Sequence, residues 1–189
     1  MASTWPAKNN YATGDVLTAA NMNGVGDDLN DVYNFSGYAA GKNKIINGDF
    51  GIWQRGTSFT LSAGTRTYTA DRFSDIFVGG SPTVTISQQS FTAGTAPVAG
   101  YESSFFHRFA LSGTATSNTA NQTRQAIEDV RTFAGQTVTF SFWAKADSAR
   151  TVNVYFGQIF GSGGSADVYT TSVPVSLTTS WARYTSTFS

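Results

Sequence analysis

Residues 44–56 read KIINGDFGIWQRG, and the sequence changes character at this stretch. It contains the first dense group of apolar residues in the chain: Ile45, Ile46, Phe50, Ile52 and Trp53. Asn47-Gly48-Asp49 lies among them and is a turn signal, because glycine adopts positive φ freely and Asn and Asp side chains bond their own backbone. The stretch therefore predicts a first strand, a tight turn and a second strand of a β-domain.

The sequence that follows consists of short apolar patterns of period two, separated by turn signals. The clearest is residues 137–146, where Val138, Phe140 and Phe142 alternate with polar residues or with Trp143. Many short strands of this kind predict a mainly β fold, a jelly-roll β-sandwich over residues 42–189. The sequence ends at Ser189 directly after a strand pattern, and we therefore expect the native polypeptide to continue.

A candidate binding surface is predicted where two strand patterns follow each other. Asp147-Ser148-Ala149 separates residues 137–146 from the next pattern, residues 152–160, which indicates a hairpin. A turn near Ser148 would place Trp143 opposite Asn153 and diagonal to Tyr155. An exposed aromatic ring can stack on a sugar while Asn bonds its hydroxyls, so these three residues are candidate glycan-binding residues. The alternative is that another layer or subunit covers this face.

The N-terminal segment, residues 1–41, has a different pattern. Residues 1–17 predict an extended arm, because the proline of Trp5-Pro6 disfavours helix at Trp5. Residues 18–35 predict one short α-helix with apolar residues spaced by three and four. Its glycines make it marginal alone, so its apolar seam must fold back on the β-domain, pair with copies of itself or enter a groove of another protein. The candidate assembly and docking residues are Trp5, Tyr11, Leu17, Met22, Val25, Leu29, Val32 and Tyr33.

The composition argues against several classes of function. Lys and Arg together number 12, as do Asp and Glu, so no net charge favours nucleic acid or an anionic membrane. The chain has no cysteine and one histidine, which leaves no ligand set for zinc. His107 shares a strand face with Phe105, Phe109 and Leu111, and it is predicted to be a core or sheet-face histidine rather than a catalytic base. We expect no catalytic residues, no cofactor, no metal, no membrane insertion and no enzymatic activity.

The motifs together resemble a known family. Residues 45–56 and 70–73, then 126–130 and 135–146, resemble the carbohydrate-binding-module-like jelly rolls of bacteriophage tail fibres and related virion proteins. Trp5-Pro6 and residues 13–23 are similar to N-terminal segments that attach such appendages to the virion. Related modules often have an acid that helps to hold calcium directly after the Asp-Phe pair, but this chain has Gly51 there, so the resemblance implies no metal.

The resemblance implies a function outside the cell. We expect a phage virion structural protein, a homotrimeric tail fibre located on the virion. Its arm would bind tail or baseplate proteins, and its jelly roll would support host attachment, with a host-surface glycan as a further partner. A glycan-binding receptor module and a head fibre or decoration protein are the alternatives. A polysaccharide-degrading tailspike would additionally need a pair of facing carboxylates.

Overall fold

The computed structural model describes residues 43–98, 100–113 and 120–189, and the regular structure within these ranges is entirely β-strand. The strands are β1 (Ser58–Thr60), β2 (Thr67–Tyr68), β3 (Phe73–Val78), β4 (Thr83–Ser90), β5 (Phe105–Ser112), β6 (Ala120–Gln125), β7 (Val138–Ala144), β8 (Arg150–Val154), β9 (Gly157–Gln158), β10 (Val168–Tyr169), β11 (Val173–Leu177) and β12 (Ala182–Phe188). The predicted arm and helix lie outside the described residues. The part of the chain that is described contains no helix able to span a membrane.

The strand pairs are antiparallel and nested. The pair β4–β5 lies inside the pair β3–β6 along the chain, and β9–β10 lies inside β8–β11, which lies inside β7–β12. Two short strands join the first set at its edges, β1 beside β4 and β2 beside β3. Nested pairs of this kind arise when a long hairpin folds over on itself, so sequence neighbours often lie in different sheets.

The core lies between the two three-stranded sheets, β1–β4–β5 and β2–β3–β6. Its buried apolar residues are Trp53, Leu61, Ala70, Phe73, Phe77, Val84 and Ile86. Val84 and Ile86 alternate with threonines along β4, so one face of the strand is buried. Burial of each such side chain contributes about 1.5–3 kcal/mol to stability. Two sheets that face each other across this core form a β-sandwich. The small sheets are not joined into closed layers, and the complete jelly-roll order stays a prediction.

A second group of aromatic side chains lies in the nested C-terminal strands. The ring of Phe156 is 6.4 Å from that of Phe140 and 5.0 Å from that of Phe188. At the end of β5, Phe106 contacts Trp181, which directly precedes β12, at 5.3 Å. The contact of Phe106 with Trp181 joins the C-terminal pairs to the first sheets, within a unit that spans Ile45–Ser189.

The prediction of two strands in the opening stretch is wrong, because the structure has an irregular loop there. Asn47 and Phe50 have φ angles of 58° and 55°. The Asn47 side chain donates to the carbonyls of Ile52 at 2.9 Å and Asp71 at 3.0 Å, and accepts from the Ile52 amide at 2.9 Å. Such side-chain bonds replace a strand ladder. The apolar residues still contribute to the core, through Trp53.

The predicted hairpin between residues 137–146 and 152–160 is also wrong. Trp143 lies opposite Arg183 of β12, and Asn153 lies opposite Pro174 of β11. The alternation along β7 is confirmed, since its apolar positions are half-buried and the positions between them are exposed. The loop after β7 therefore leads to a different strand pair.

Candidate functional site

On the side of the β2–β3–β6 sheet away from the core, polar and aromatic side chains lie in rows that are exposed at Tyr68 and Arg124 and buried at Ser74. The register places Tyr68, Ser74 and Arg124 side by side across the three strands. In the next row, Ile76 lies opposite Gln122. These residues point away from the core because the alternate residues of β3 are the ones that enter it. Strand spacing separates the Cα atoms of Tyr68 and Arg124 by about 10 Å.

A chain of contacts extends the second row. The Arg66 Nη2 atom donates to Gln122 Oε1 at 2.5 Å, and the Gln122 amide donates to the Tyr155 hydroxyl. The Tyr155 and Tyr169 rings meet edge to face, with centroids 6.0 Å apart and planes at 67°. The Tyr169 ring lies on the backbone of Gly157, where an added Cβ would come within 2.7 Å of the ring. Glycine at position 157 is therefore part of what positions the ring.

We call this surface the tyrosine face; it consists of Arg66, Tyr68, Gln122, Arg124, Tyr155 and Tyr169. Its three tyrosines are well exposed: Tyr68 is 56% exposed, Tyr155 40% and Tyr169 55%. Exposed aromatic side chains that lie together mark contact surfaces more often than scattered ones do. The tyrosine face thus combines flat apolar rings with hydrogen-bonding groups, the composition of a ligand site.

The tyrosine face carries positive charge. Burial lowers the pKa of Arg66, and the like charge of Arg124 lowers it further, while Tyr155, Asp75 and Tyr68 oppose this effect. An arginine whose pKa is lowered in this way still carries its charge at neutral pH. Two arginines therefore lie close enough to repel each other on this face.

A depression of about 240 Å³ adjoins the tyrosine face at Tyr68. Arg55 lies over the Tyr68 ring at 5.7 Å and pairs with Asp71 at 3.4 Å. On the other wall Arg72 pairs with Glu128, and its hydrogen bond lowers the pKa of that carboxyl. The depression extends the polar surface beyond Tyr68.

The structure separates the predicted glycan-binding residues. Asn153 and Tyr155 are exposed and point to the same side of the chain at β8. Trp143, 39% exposed, does not join them. Phe140 and Phe156 meet inside the fold with ring centroids 6.4 Å apart, and Trp143 and Tyr155 point away from them on their respective strands. The two aromatics therefore belong to different strand pairs, Trp143 to β7–β12 and Tyr155 to the end of β8.

Sequence reasoning missed most of the tyrosine face, namely Arg66, Tyr68, Gln122, Arg124 and Tyr169. A local signal was present, since Arg66 and Tyr68 are two positions apart, as are Gln122 and Arg124, and residues with that spacing share a face of a strand. What the sequence lacked was the pairing of β3 with β6, which brings Ser74 opposite Arg124.

A buried polar network lies on the core side of the same sheet. Asp75 is fully buried and accepts hydrogen bonds from the Thr69 and Thr123 hydroxyls, each at 2.5 Å. The His107 Nε2 atom lies 3.1 Å from Asp75, with the His107 side chain 8% exposed. His107 therefore lies within the fold, where it ties β5 to β3 rather than facing a ligand. The described residues contain no cluster of three or more acidic, histidine or cysteine side chains suited to a metal.

The predicted assembly and docking residues, from Trp5 to Tyr33, lie outside the described residues. Their role stays a prediction.

Comparison with known proteins gives one positive result. The family model of a carbohydrate binding domain matches residues 87–189, more than half of the chain. The matched region contains Gln122, Arg124, Tyr155 and Tyr169 of the tyrosine face, and Arg66 and Tyr68 precede it. Searches of the curated proteins and of the solved structures found no match.

Proposed function

The chain belongs to the carbohydrate binding domain family, and from that premise we propose that it is a glycan-binding module whose ligand lies on the tyrosine face. The observation that carries this assignment is the edge-to-face pair of Tyr155 and Tyr169, which stays exposed beside the amide of Gln122. The CH-rich face of a sugar ring packs on a tyrosine ring, and its hydroxyls bond amide and guanidinium groups. Both kinds of group are present here.

The surface is long enough for more than one contact. Tyr68 lies at one end of the surface, two strands from Arg124. Tyr155 lies at the other end, where its hydroxyl accepts a hydrogen bond from Gln122. Asn153, which precedes Tyr155 on the same side of the chain, adds an exposed amide. A chain of several sugar units fits this arrangement better than a single sugar does, because the aromatic rings are spread across strands.

Alanine substitution of the two stacked tyrosines tests the assignment. Tyr155→Ala and Tyr169→Ala should each weaken glycan affinity about tenfold or more, because aromatic anchors contribute disproportionately to binding. Trp143→Ala is the matched control, since Trp143 is 39% exposed against 40% for Tyr155 but lies on the β7–β12 pair, where it is paired with Arg183. A glycan array would identify the ligand, and calorimetry would give the affinities.

The opposite pattern of results among these variants would contradict the proposal. If Trp143→Ala abolishes binding while Tyr155→Ala and Tyr169→Ala bind as the wild type does, the ligand site is on the β7–β12 surface. If no glycan binds the purified protein at all, the chain has the fold of the family without its binding activity.

We propose a virion appendage, most simply a trimeric phage tail fibre, as the setting of this module. The support is the resemblance of Trp5-Pro6 and residues 13–23 to attachment segments. A trimer would present three binding faces and so raise avidity without new contacts. Light scattering with and without residues 1–41 tests this, as does the double variant Leu29→Asp and Val32→Asp. A monomer in every case, or a double variant that still assembles fully, would count against it.

We further propose that the module binds its glycan without cleaving it. The charged groups of the tyrosine face are arginines. Of the carboxylates beside it, Asp71 and Glu128 are each paired with an arginine, and Asp167 accepts a hydrogen bond from the Tyr169 hydroxyl at 3.5 Å. Incubation of the protein with its bound glycan should release no shorter products. The appearance of new reducing ends, lost in a Glu128→Gln variant, would show a catalytic site instead.

A further inference from the structure

The arginines of the described residues fall into two groups. Four of them each pair with a carboxylate: Arg55 with Asp71, Arg72 with Glu128, Arg131 with Asp129 and Arg150 with Asp147. Arg66 and Arg124 of the tyrosine face have no carboxylate within 4.0 Å among the described residues, and the same is true of Arg108 and Arg183 on other strands. The surface arginines that have a carboxylate partner therefore lie outside the tyrosine face.

Arg66 is also incompletely bonded. Its Nη2 atom donates to Gln122, but its Nη1 atom is buried and has no hydrogen-bond partner. Arg72 shows the same feature nearby, since its Nε atom is buried without a partner on the wall of the adjoining depression. A buried N–H group without an acceptor is costly, and more so when the group is charged. Both orphan donors lie on the ligand side of the sheet.

Within residues 43–98, 100–113 and 120–189, no carboxylate is placed to satisfy Arg66. Asp75 is close enough to influence its pKa, but Asp75 belongs to the core side of the sheet and already accepts bonds from Thr69, Thr123 and His107. The neighbouring charge of Arg124 is of the same sign. An anion supplied from outside would relieve this repulsion and bond the free N–H group.

We propose that the tyrosine face selects a glycan that carries anionic groups, carboxylate or sulfate, with Arg66 and Arg124 as the groups that bind them. This inference rests on the proposed function and adds the class of sugar to it. Arginine suits the task because its planar fork bonds two oxygens of a carboxylate or sulfate at once. Tyr155 and Tyr169 would stack on the sugar rings while Arg66 fixes the charged substituent.

The experiment compares charged and neutral forms of the same sugars. The wild-type protein is titrated with oligogalacturonate and with its methyl ester, which lacks the charge, and then with a sulfated glycosaminoglycan and its desulfated form. The charged form of one pair should bind about tenfold or more tightly than its neutral form, because bonds to charged groups are the strong ones. The pair that responds identifies carboxylate or sulfate as the group recognised.

Three substitutions separate a specific contact from general attraction. Arg66→Gln should lose most of the preference for the charged form, and Arg66→Lys, which keeps the charge without the fork, should keep part of it. Arg108→Gln is the matched control, since Arg108 is exposed on the outer side of β5 and has no carboxylate partner among the described residues; it should change nothing. Thermal melting of each variant confirms that it is folded.

The outcomes distinguish the two proposals. If neutral sugars bind as tightly as charged ones, and Arg66→Gln matters little while Tyr155→Ala abolishes binding, the glycan-binding function stands and the anionic class is overturned. If Arg108→Gln weakens binding as much as Arg66→Gln does, the attraction is diffuse and the inference is again overturned. If no sugar of either kind binds, both proposals fail together.

Discussion

The buried carboxylate of Asp75 allows a prediction that needs no ligand. Replacement by alanine leaves three groups without their acceptor: the hydroxyls of Thr69 and Thr123, each at 2.5 Å, and the ring nitrogen of His107 at 3.1 Å. The Thr69 hydroxyl and the His107 side chain are buried, and each loses about 1–3 kcal/mol without its acceptor. Thr123 is exposed, so its hydroxyl can bond water instead. The free energy of unfolding should therefore fall by about 3–5 kcal/mol, the usual cost of breaking a buried pair.

This loss is large enough to measure directly. For a domain of this size it corresponds to a melting midpoint lower by about 10–15 °C. Urea unfolding of wild type and Asp75→Ala, followed by tryptophan fluorescence, gives the two free energies. The matched control is Asp147→Ala, which removes an aspartate bonded to Arg150 at 2.8 Å but 77% exposed, and which should scarcely change stability. A loss below about 1 kcal/mol for Asp75→Ala would refute the view that this network holds the two sheets together.

Three further predictions concern single positions. Gly157→Ala should weaken glycan affinity several-fold with little change in melting, because its Cβ would come within 2.7 Å of the Tyr169 ring; unchanged calorimetric affinity would contradict this. Arg131→Gln should return the pKa of Asp129 from about 2 toward 3.8, which an NMR titration would measure. In the wild type this pair stabilises the fold above pH 3.8, and the stabilisation is lost as the pH falls toward 2. The variant should lack this pH-dependent stabilisation. Asn47→Ala should lower the unfolding free energy by about 1–3 kcal/mol in urea, because three hydrogen bonds are lost at a φ of 58°; stability equal to wild type would show that these bonds are dispensable.

Strand alternation was predictable from the sequence, and strand pairing was not. The period of two along β7 depends only on neighbouring residues, and the buried and exposed positions follow it. Pairing depends on the whole chain: β7 pairs with β12, and the predicted hairpin with β8 is absent. A short polar connection has the same composition whether it closes a hairpin or leads to another sheet, so composition alone could not decide.

The prediction of two strands in residues 44–56 was wrong for a different physical reason. Asn47 was recognised as a turn residue, but its side chain bonds the backbone on both sides of the loop and reaches Asp71, far along the chain. These bonds satisfy the backbone without a partner strand. The apolar residues of the stretch thus contribute Trp53 to the core from a loop, and a dense apolar cluster need not be a strand.

The sequence could predict which residues of the candidate site lie together only where those residues belong to one strand. Asn153 and Tyr155 are two residues apart, so their shared side followed from the strand period alone. The sequence prediction placed Trp143 beside them by pairing β7 with β8, and these strands do not pair in the structure. Arg66 and Tyr68 meet Gln122 and Arg124 through β3, across a long stretch of chain, and such long-range neighbours are not visible in a single sequence.

Exposure alone does not distinguish the two aromatic surfaces, since Trp143 and Tyr155 are exposed to nearly the same extent, 39% and 40%. Hydrogen bonding does distinguish them. Beside Trp143, the guanidinium of Arg183 bonds the Ser141 hydroxyl at 3.1 Å, whereas Arg66 on the tyrosine face keeps a buried N–H group without an acceptor. A fold satisfies its buried polar groups wherever it can. The β7–β12 pair also has an unsatisfied group, the Ser186 hydroxyl, but it lies opposite Phe140 and not beside Trp143. On our proposal, the partner of the Arg66 donor comes from the ligand. That reasoning favours the tyrosine face as the binding surface.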